Sequence, residues 1–291
     1  MVASKPIILM AHGAWHLPQM YDSLKNELNA LGYTFLCPEL KTVGADKHGV
    51  TWQADKELLL SLVEPLFEQS KEIVIIGHSY GGIPACAATE GNGVQERAAA
   101  GKKGGFRCIV YLAGFAIPQR GLTLLEVFGG QWAPWHDAAI PNTKNQLIRV
   151  NEKAKEALFN GFPEAEQAAY LAKLVPHSQD ALETPVDFVV TDITIPKTYI
   201  VCELDQALPA SLQEKLVETV PGFQAERIGA GHSPFLSNPK ECAELIAKIA
   251  EGDGEDDSRR IMSVSPWMKL RGLAHNLWSL ATQRGKITHV P

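Results

Sequence analysis

Ser79 stands in Ile73-Val-Ile-Ile-Gly77-His78-Ser79-Tyr80-Gly81-Gly82, an apolar β-like run that ends in Gly-x-Ser-x-Gly and leads into the helix-compatible Pro84-Ala-Cys-Ala-Ala. A strand that turns this sharply into a helix holds the serine in a strained backbone conformation. Small residues two positions before and after it, Gly77 and Gly81, avoid the resulting clash. The hydroxyl is then presented at a helix N-terminus, whose free N–H groups favour a developing negative charge. The chemistry suited to that presentation is nucleophilic attack on a carbonyl.

A serine alcohol needs a base to take its proton, and the base needs an acid to orient it. For a nucleophile of this kind the chain order is serine, acid, histidine, with the acid after a late strand and the histidine after the last. Tyr199-Ile-Val-Cys-Glu203-Leu-Asp205 ends an apolar run in carboxylates, and Arg227-Ile-Gly-Ala-Gly-His232-Ser-Pro places a histidine just past the next. His232 is therefore the expected base. Asp205, in the loop Asp205-Gln-Ala-Leu-Pro209, is the expected acid. Glu203 is the alternative at the strand end, and Asp192, before the strand, is expected on the surface. Charge building on the carbonyl oxygen requires aimed donors, each worth ~3 kcal/mol. The N–H of Tyr80 is one. The loop after the first strand, His12-Gly13-Ala14-Trp15-His16, supplies the other, expected from Ala14, with Gly13 allowing close backbone approach and His12 orienting the loop.

Holding these groups at one edge requires a parallel sheet covered by helices, and the chain reads that way: short apolar runs alternate with longer amphipathic ones. Expected strands are Pro6–Ala11, Thr34–Pro38, Ile73–His78, Cys108–Ala113, Thr198–Glu203 and Ala225–Ile228. Leu59, Leu62, Val63, Leu66 and Phe67 recur at helical spacing, with Pro65 disfavouring only the last turn, and Cys242, Leu245, Ile246 and Ile249 repeat the pattern near residue 250. From about Pro118 to Ile195 the alternation breaks. Phe128, Trp132, Trp135 and His136 precede a helical stretch at Pro163–Leu174, which reads as a cap inserted over the strand ends. Its aromatics Phe128, Trp132 and Trp135, with Trp15 and His12, are the candidate pocket residues.

The chain has 291 residues, 45% hydrophobic and 21% charged, enough to bury a core without disulfides or metal. Its five cysteines form no Cys-x-x-Cys pair, so neither a disulfide scaffold nor a zinc site is expected. A net charge of −6 gives no electrostatic reason for nucleic-acid binding. No apolar run reaches the ~18 residues of a membrane span, and a cytoplasmic location is expected. Residues 251–257 read as a Gly- and acid-rich linker. Beyond it lies a basic amphipathic segment with Trp267, Leu270, Ala274, Leu277, Trp278 and Ala281 on one face, expected to dock on its own acidic domain.

On His12-Gly-Ala, Gly77-His-Ser-Tyr-Gly-Gly, Tyr199-Ile-Val-Cys-Glu-Leu-Asp-Gln-Ala-Leu-Pro and Gly231-His-Ser-Pro-Phe-Leu-Ser-Asn-Pro, the chain resembles the α/β-hydrolases. The group in question contains plant methyl-ester esterases, hydroxynitrile lyases and bacterial and fungal carboxylesterases. Phe159-Asn-Gly-Phe-Pro-Glu-Ala and Leu174-Val-Pro-His-Ser are similar to the bacterial and fungal esterases. The resemblance covers about residues 5–250 and has no counterpart for the tail. It implies a serine hydrolase with Ser79, Asp205 and His232 as triad, and it favours Asp205 over Glu203. The expected fold is thus α/β, a mostly parallel sheet of about six strands with helices on both faces. Residues 1–118 and 196–250 form the core, 119–195 an inserted helical cap, and 251–291 the linker and extension. The expected substrate is a small apolar or aromatic ester or lactone, with no cofactor and no metal; a homodimer is left open. Two rivals remain. Lyases of the group carry a threonine where this chain has Gly13 and a lysine where it has Ser233, and a non-catalytic small-molecule binding protein could keep the same pocket.

Overall fold

Ile7-Ile8-Leu9-Met10 and Ile73-Val74-Ile75-Ile76 are apolar at every position, the pattern of strands buried on both faces. In the computed structural model, which describes residues 5–137 and 140–252, they form the sheet centre. The strands are β1 (Ile7–Ala11), β2 (Phe35–Leu36), β3 (Glu72–His78), β4 (Gly105–Leu112), β5 (His136–Asp137), β6 (Leu147–Val150), β7 (His177–Ser178), β8 (Lys197–Cys202) and β9 (Phe223–Ile228). Six of them make one sheet in the order β2-β1-β3-β4-β8-β9, parallel at every pairing. Successive side chains of β1 and β3 enter opposite cores. Leu9, Ile73 and Ile75 meet helices Trp52–Glu68, Gly82–Ala88 and Ala210–Thr219. Ile8, Met10, Val74 and Ile76 meet helices Asp22–Ala30 and Pro239–Glu251.

The order reverses at β1: the chain pairs β2 on one side and β3 on the other. The crevice at such a reversal, outside the carboxyl ends of the strands, is where open α/β sheets hold ligands. The loop after β1 and the turn after β3 both open there.

Element bounds differ from the sequence reading where edge position or a register shift intervenes. β2 is only two residues long, since it lies at the sheet edge and runs into Pro38. β4 starts at Gly105 and β9 at Phe223, earlier than expected, because neighbouring strands extend the pairing. Helix Trp52–Glu68 runs on past Pro65, its last turn held by Phe67, which is fully buried.

The excursion between β4 and β8 corrects the expectation of a purely helical cap. Helices Leu124–Val127, Ala154–Phe159, Glu164–Leu171 and Gln179–Glu183 accompany an antiparallel sheet in the order β5-β6-β7. In β6, buried Ile148 is followed by exposed Arg149, a period-2 pattern that a helix reading passes over. Backbone bonds from Val175 N to Trp15 O (2.9 Å), Gly44 N to Pro176 O (2.8 Å) and Ser178 N to Thr42 O (2.8 Å) tie this segment to the loops after β1 and β2. The linker beyond Gly252 and the amphipathic extension lie outside the described residues.

Candidate active site

The turn after β3 has the expected strain. Ser79 has φ +51°, a left-handed conformation that costs a non-glycine residue energy and persists only where its surroundings enforce it. The enforcement is visible at the glycines. A Cβ on Gly81 would overlap the Ala11 carbonyl, one on Gly77 would overlap Gly82 Cα, and one on Gly82 would sit 2.7 Å from Phe115 O. The Ser79 carbonyl accepts from Phe115 N at 2.9 Å, which anchors the turn to the loop after β4.

Ser79 and His232 open into the same cavity, with Ala14 and Tyr80 beside them. His232, 2% exposed, faces Asp205, 4% exposed, with Nδ1 donating to Oδ2 at 2.8 Å. Asp205 is itself immobilised. Its Oδ1 accepts from the N–H groups of Ala207 (2.8 Å) and Leu208 (2.9 Å), and Oδ2 also accepts from Gln213 Nε2 (2.9 Å). Glu203 is exposed and Asp192 pairs with Arg120 at 2.9 Å, so neither reaches the imidazole.

A buried relay connects the three loops. Gly13 N–H donates to Tyr21 Oη (3.0 Å), Tyr21 O–H to His78 Nδ1 (2.7 Å), and His78 Nε2–H to the His232 carbonyl (3.0 Å). That direction requires a neutral His78, and burial, reinforced by His232 and His16, holds its pKa well below the ordinary value. A second network holds Tyr80. Its hydroxyl donates to Asp55 Oδ2 (2.7 Å), whose carboxylate also accepts from Thr42 Oγ1 (2.7 Å) and the N–H groups of Lys41 (2.6 Å) and Thr42 (3.2 Å). Burial raises the Asp55 pKa to about 6 against the pull of these bonds.

The cavity holds about 330 Å³ including its open mouth. Trp15, Phe115, Leu124, Phe128, Trp135 and Leu182 make most of its wall, with Ala207, Leu208 and His136. Trp15, Phe128 and Trp135 thus lie where the sequence reading put them. Two candidates do not. His12 is fully buried behind the loop, its Nδ1–H donating to Gly13 O (2.9 Å) and its Nε2 accepting from Leu40 N–H (3.0 Å), and burial lowers its pKa to about 4. It orients the loop and does not line the cavity. Trp132 packs against His136, ring centroids 5.0 Å apart, and against the core rather than on the wall. The reading missed Tyr21, His78, Asp55 and Gln213, because each acts through a partner that only the folded loops bring to it. His136 was visible in the aromatic run, but only its neighbour Ala133 and the cavity give it a role.

A family model described as the alpha/beta hydrolase family matches residues 8–245. The chain is 24% identical to alpha/beta hydrolase nvfD of Aspergillus novofumigatus (strain IBT 16806) over 84% of this chain and 97% of the relative. It is likewise 24% identical to a carbendazim hydrolyzing esterase of Nocardioides sp. (strain SG-4G), over 83% and 98%. The structure of an extracellular alpha/beta-hydrolase from a Paenibacillus species superposes with a TM-score of 0.66 at 21% identity, covering 84% of this chain and 98% of the other. At that identity the likeness is one of fold.

Proposed function

The chain belongs to the alpha/beta hydrolase family, and from that premise we propose that it is a carboxylic ester hydrolase acting on a small apolar or aromatic ester or lactone through Ser79, His232 and Asp205. The observation that carries this reading is the buried Asp205–His232 pair, 2.8 Å apart, in the cavity that the strained Ser79 enters. The name of the Nocardioides relative, an esterase, points the same way.

In the first step His232 Nε2 takes the Ser79 proton as the oxygen attacks the carbonyl carbon. The oxyanion is held by the N–H groups of Ala14 and Tyr80. His232 then gives its proton to the leaving alkoxide, which departs as the alcohol. In the second step His232 deprotonates a water, which attacks the acyl-enzyme, and the acid leaves as Ser79 recovers its proton. For a lactone, acid and alcohol stay in one molecule. Asp205, locked by Ala207, Leu208 and Gln213, keeps Nδ1–H fixed and so leaves Nε2 free to act as base.

Two features disfavour the lyase rival. A Cβ at Gly13 would lie 2.8 Å from His78 Nδ1, leaving no room for threonine without movement. Ser233, where those lyases carry lysine, is buried and donates to Leu158 O at 2.8 Å. The test is hydrolysis of p-nitrophenyl acetate, butyrate and octanoate by wild type and Ser79→Ala. Turnover lost in the variant supports the reading. Equal rates in both would overturn it, and no turnover in either would favour a binding protein.

A further inference from the structure

His136 is the cavity-lining side chain that the mechanism leaves unused. Its imidazole stacks on Trp135, centroids 3.9 Å apart and planes 24° apart, and lines the same wall as Trp15 and Phe128. Nδ1 lies 3.1 Å from Ala133 O. A carbonyl only accepts, so Nδ1 carries the hydrogen, and the neutral ring is left with a lone pair on Nε2. Burial lowers the pKa of this group to about 4 against the pull of Ala133, so the acceptor form is the one present at neutral pH.

The other polar side chains of the wall are committed or are donors only. Tyr80 Oη gives its hydrogen to Asp55 (2.7 Å) and Trp15 Nε1–H goes to Ile148 O (3.0 Å). Ser79 and His232 carry the chemistry, and the indole of Trp135 cannot accept. Outside the triad, His136 is therefore the lining side chain whose ring nitrogen carries a lone pair. An acceptor held in an apolar, aromatic surround is satisfied by a ligand that brings a hydrogen there, and a ligand lacking one leaves it unpaired.

We propose that His136 is a specificity residue whose Nε2 accepts a hydrogen bond from a hydroxyl on the substrate's aromatic portion, so that the preferred substrates are hydroxylated aromatic esters or lactones. This rests on the cavity being the substrate site, but it does not require hydrolysis, and binding can test it alone. The probes are phenol and anisole, equal in ring and oxygen and different in the donor. An apolar slot by itself prefers anisole.

The expected result is that wild-type protein binds phenol ~10-fold more tightly than anisole, measured by calorimetry. In His136→Phe the ratio falls to about 1 or below, and in His136→Gln, which retains an acceptor, part of it returns. A second reading needs no variant: the ¹⁵N resonance of His136 Nε2 shifts toward the hydrogen-bonded range on adding phenol and stays in place with anisole. The proposal is overturned if wild type binds anisole as well as phenol, or if the ratio survives in His136→Phe. It is equally overturned if Nε2 is already hydrogen-bonded without ligand. Trp132 Nε1, buried and unpartnered on the adjoining ring, is the group that would do this. Failure of the Ser79 assay would remove the hydrolase reading and leave these binding outcomes to decide the role of His136.

Discussion

The cavity has two walls built by different means. On the core side, the groups placed for chemistry are fixed by backbone contact: Gly81 lies against Ala11, Gly82 against Phe115, and Asp205 accepts two N–H groups from its own loop. On the cap side, aromatic rings stack in a short mixed insertion, and Gly130, with φ +75°, has nothing within 4 Å of where its Cβ would be. One wall tolerates almost no change of shape, whereas the other offers interchangeable apolar surface around one nitrogen. The difference teaches that reaction type and substrate choice can be encoded separately. Backbone geometry sets the first, and replaceable side chains set the second.

The sharpest break of this comparison is at Ser79, the proposed nucleophile. Ser79→Ala should lower kcat on p-nitrophenyl butyrate by ~10⁴-fold or more, with residual rate from the oxyanion donors alone. Trp135→Ala across the cavity should not approach that loss.

Acid should then act on both walls at once. Burial lowers His12 and His136 to about 4 and His16 and His177 to about 3, and takes His78 well below its ordinary value. Each stays neutral when folded and takes up a proton when unfolded. The stability they confer is complete above pH 6.5 and is lost as pH falls toward their folded values. Asp55 opposes them: its pKa of about 6 lies above the unfolded carboxylate, so it gains stability as pH falls through 6. Between pH 7 and 5.5 each of the four histidines at 3 to 4 loses about 1 kcal/mol and Asp55 returns slightly less than that, a net fall on the order of 3 kcal/mol to which His78 adds in the same direction. Urea midpoints across this range check it. A flat profile would mean that these imidazoles are hydrated.

Glycine substitutions compare the walls directly. Gly81→Ala must displace the Ala11 carbonyl and should cost about 3 kcal/mol or more in a denaturant titration, while Gly130→Ala should cost about 1 kcal/mol, from its positive φ alone. Equal costs would erase the distinction.

Gln213→Leu removes one of the Asp205 anchors. It should lower kcat by ~10–100-fold with KM little changed, since Gln213 acts through Asp205 and does not reach the cavity. A purely structural role would lower the melting temperature and spare kcat. The smallest effect belongs to the cap: Phe128→Leu should shift the acyl chain-length preference by ~3-fold in KM with kcat nearly unchanged.

The elements legible in sequence were those whose partners lie nearby or follow a repeating rule. β1 and β3 declare themselves by continuous apolar runs, and the turn at Ser79 by its glycines. Asp205 and His232 were named from their order after late strands, and the structure brings them to 2.8 Å. Glu203 stood as an alternative in sequence because only the loop path shows it facing solvent. The cap's strands were missed because β5 and β7 are two residues each and form only when the excursion folds back on itself. His12 and Trp132 were candidates by type, and three-dimensional placement turned one behind its loop and the other onto a neighbouring ring.

The sequence by itself determined the layered architecture and singled out Ser79, His232 and Asp205 as the candidates for nucleophile, base and acid. Periodicity, glycine spacing and chain order are local or ordered properties of a chain. The tertiary structure alone decided how Tyr21 and His78 join the loop after β1 to the loop of His232. That junction depends on hydrogen bonds between residues 57 and 154 positions apart. No short stretch of sequence can specify such contacts until the sheet has brought its strand ends together.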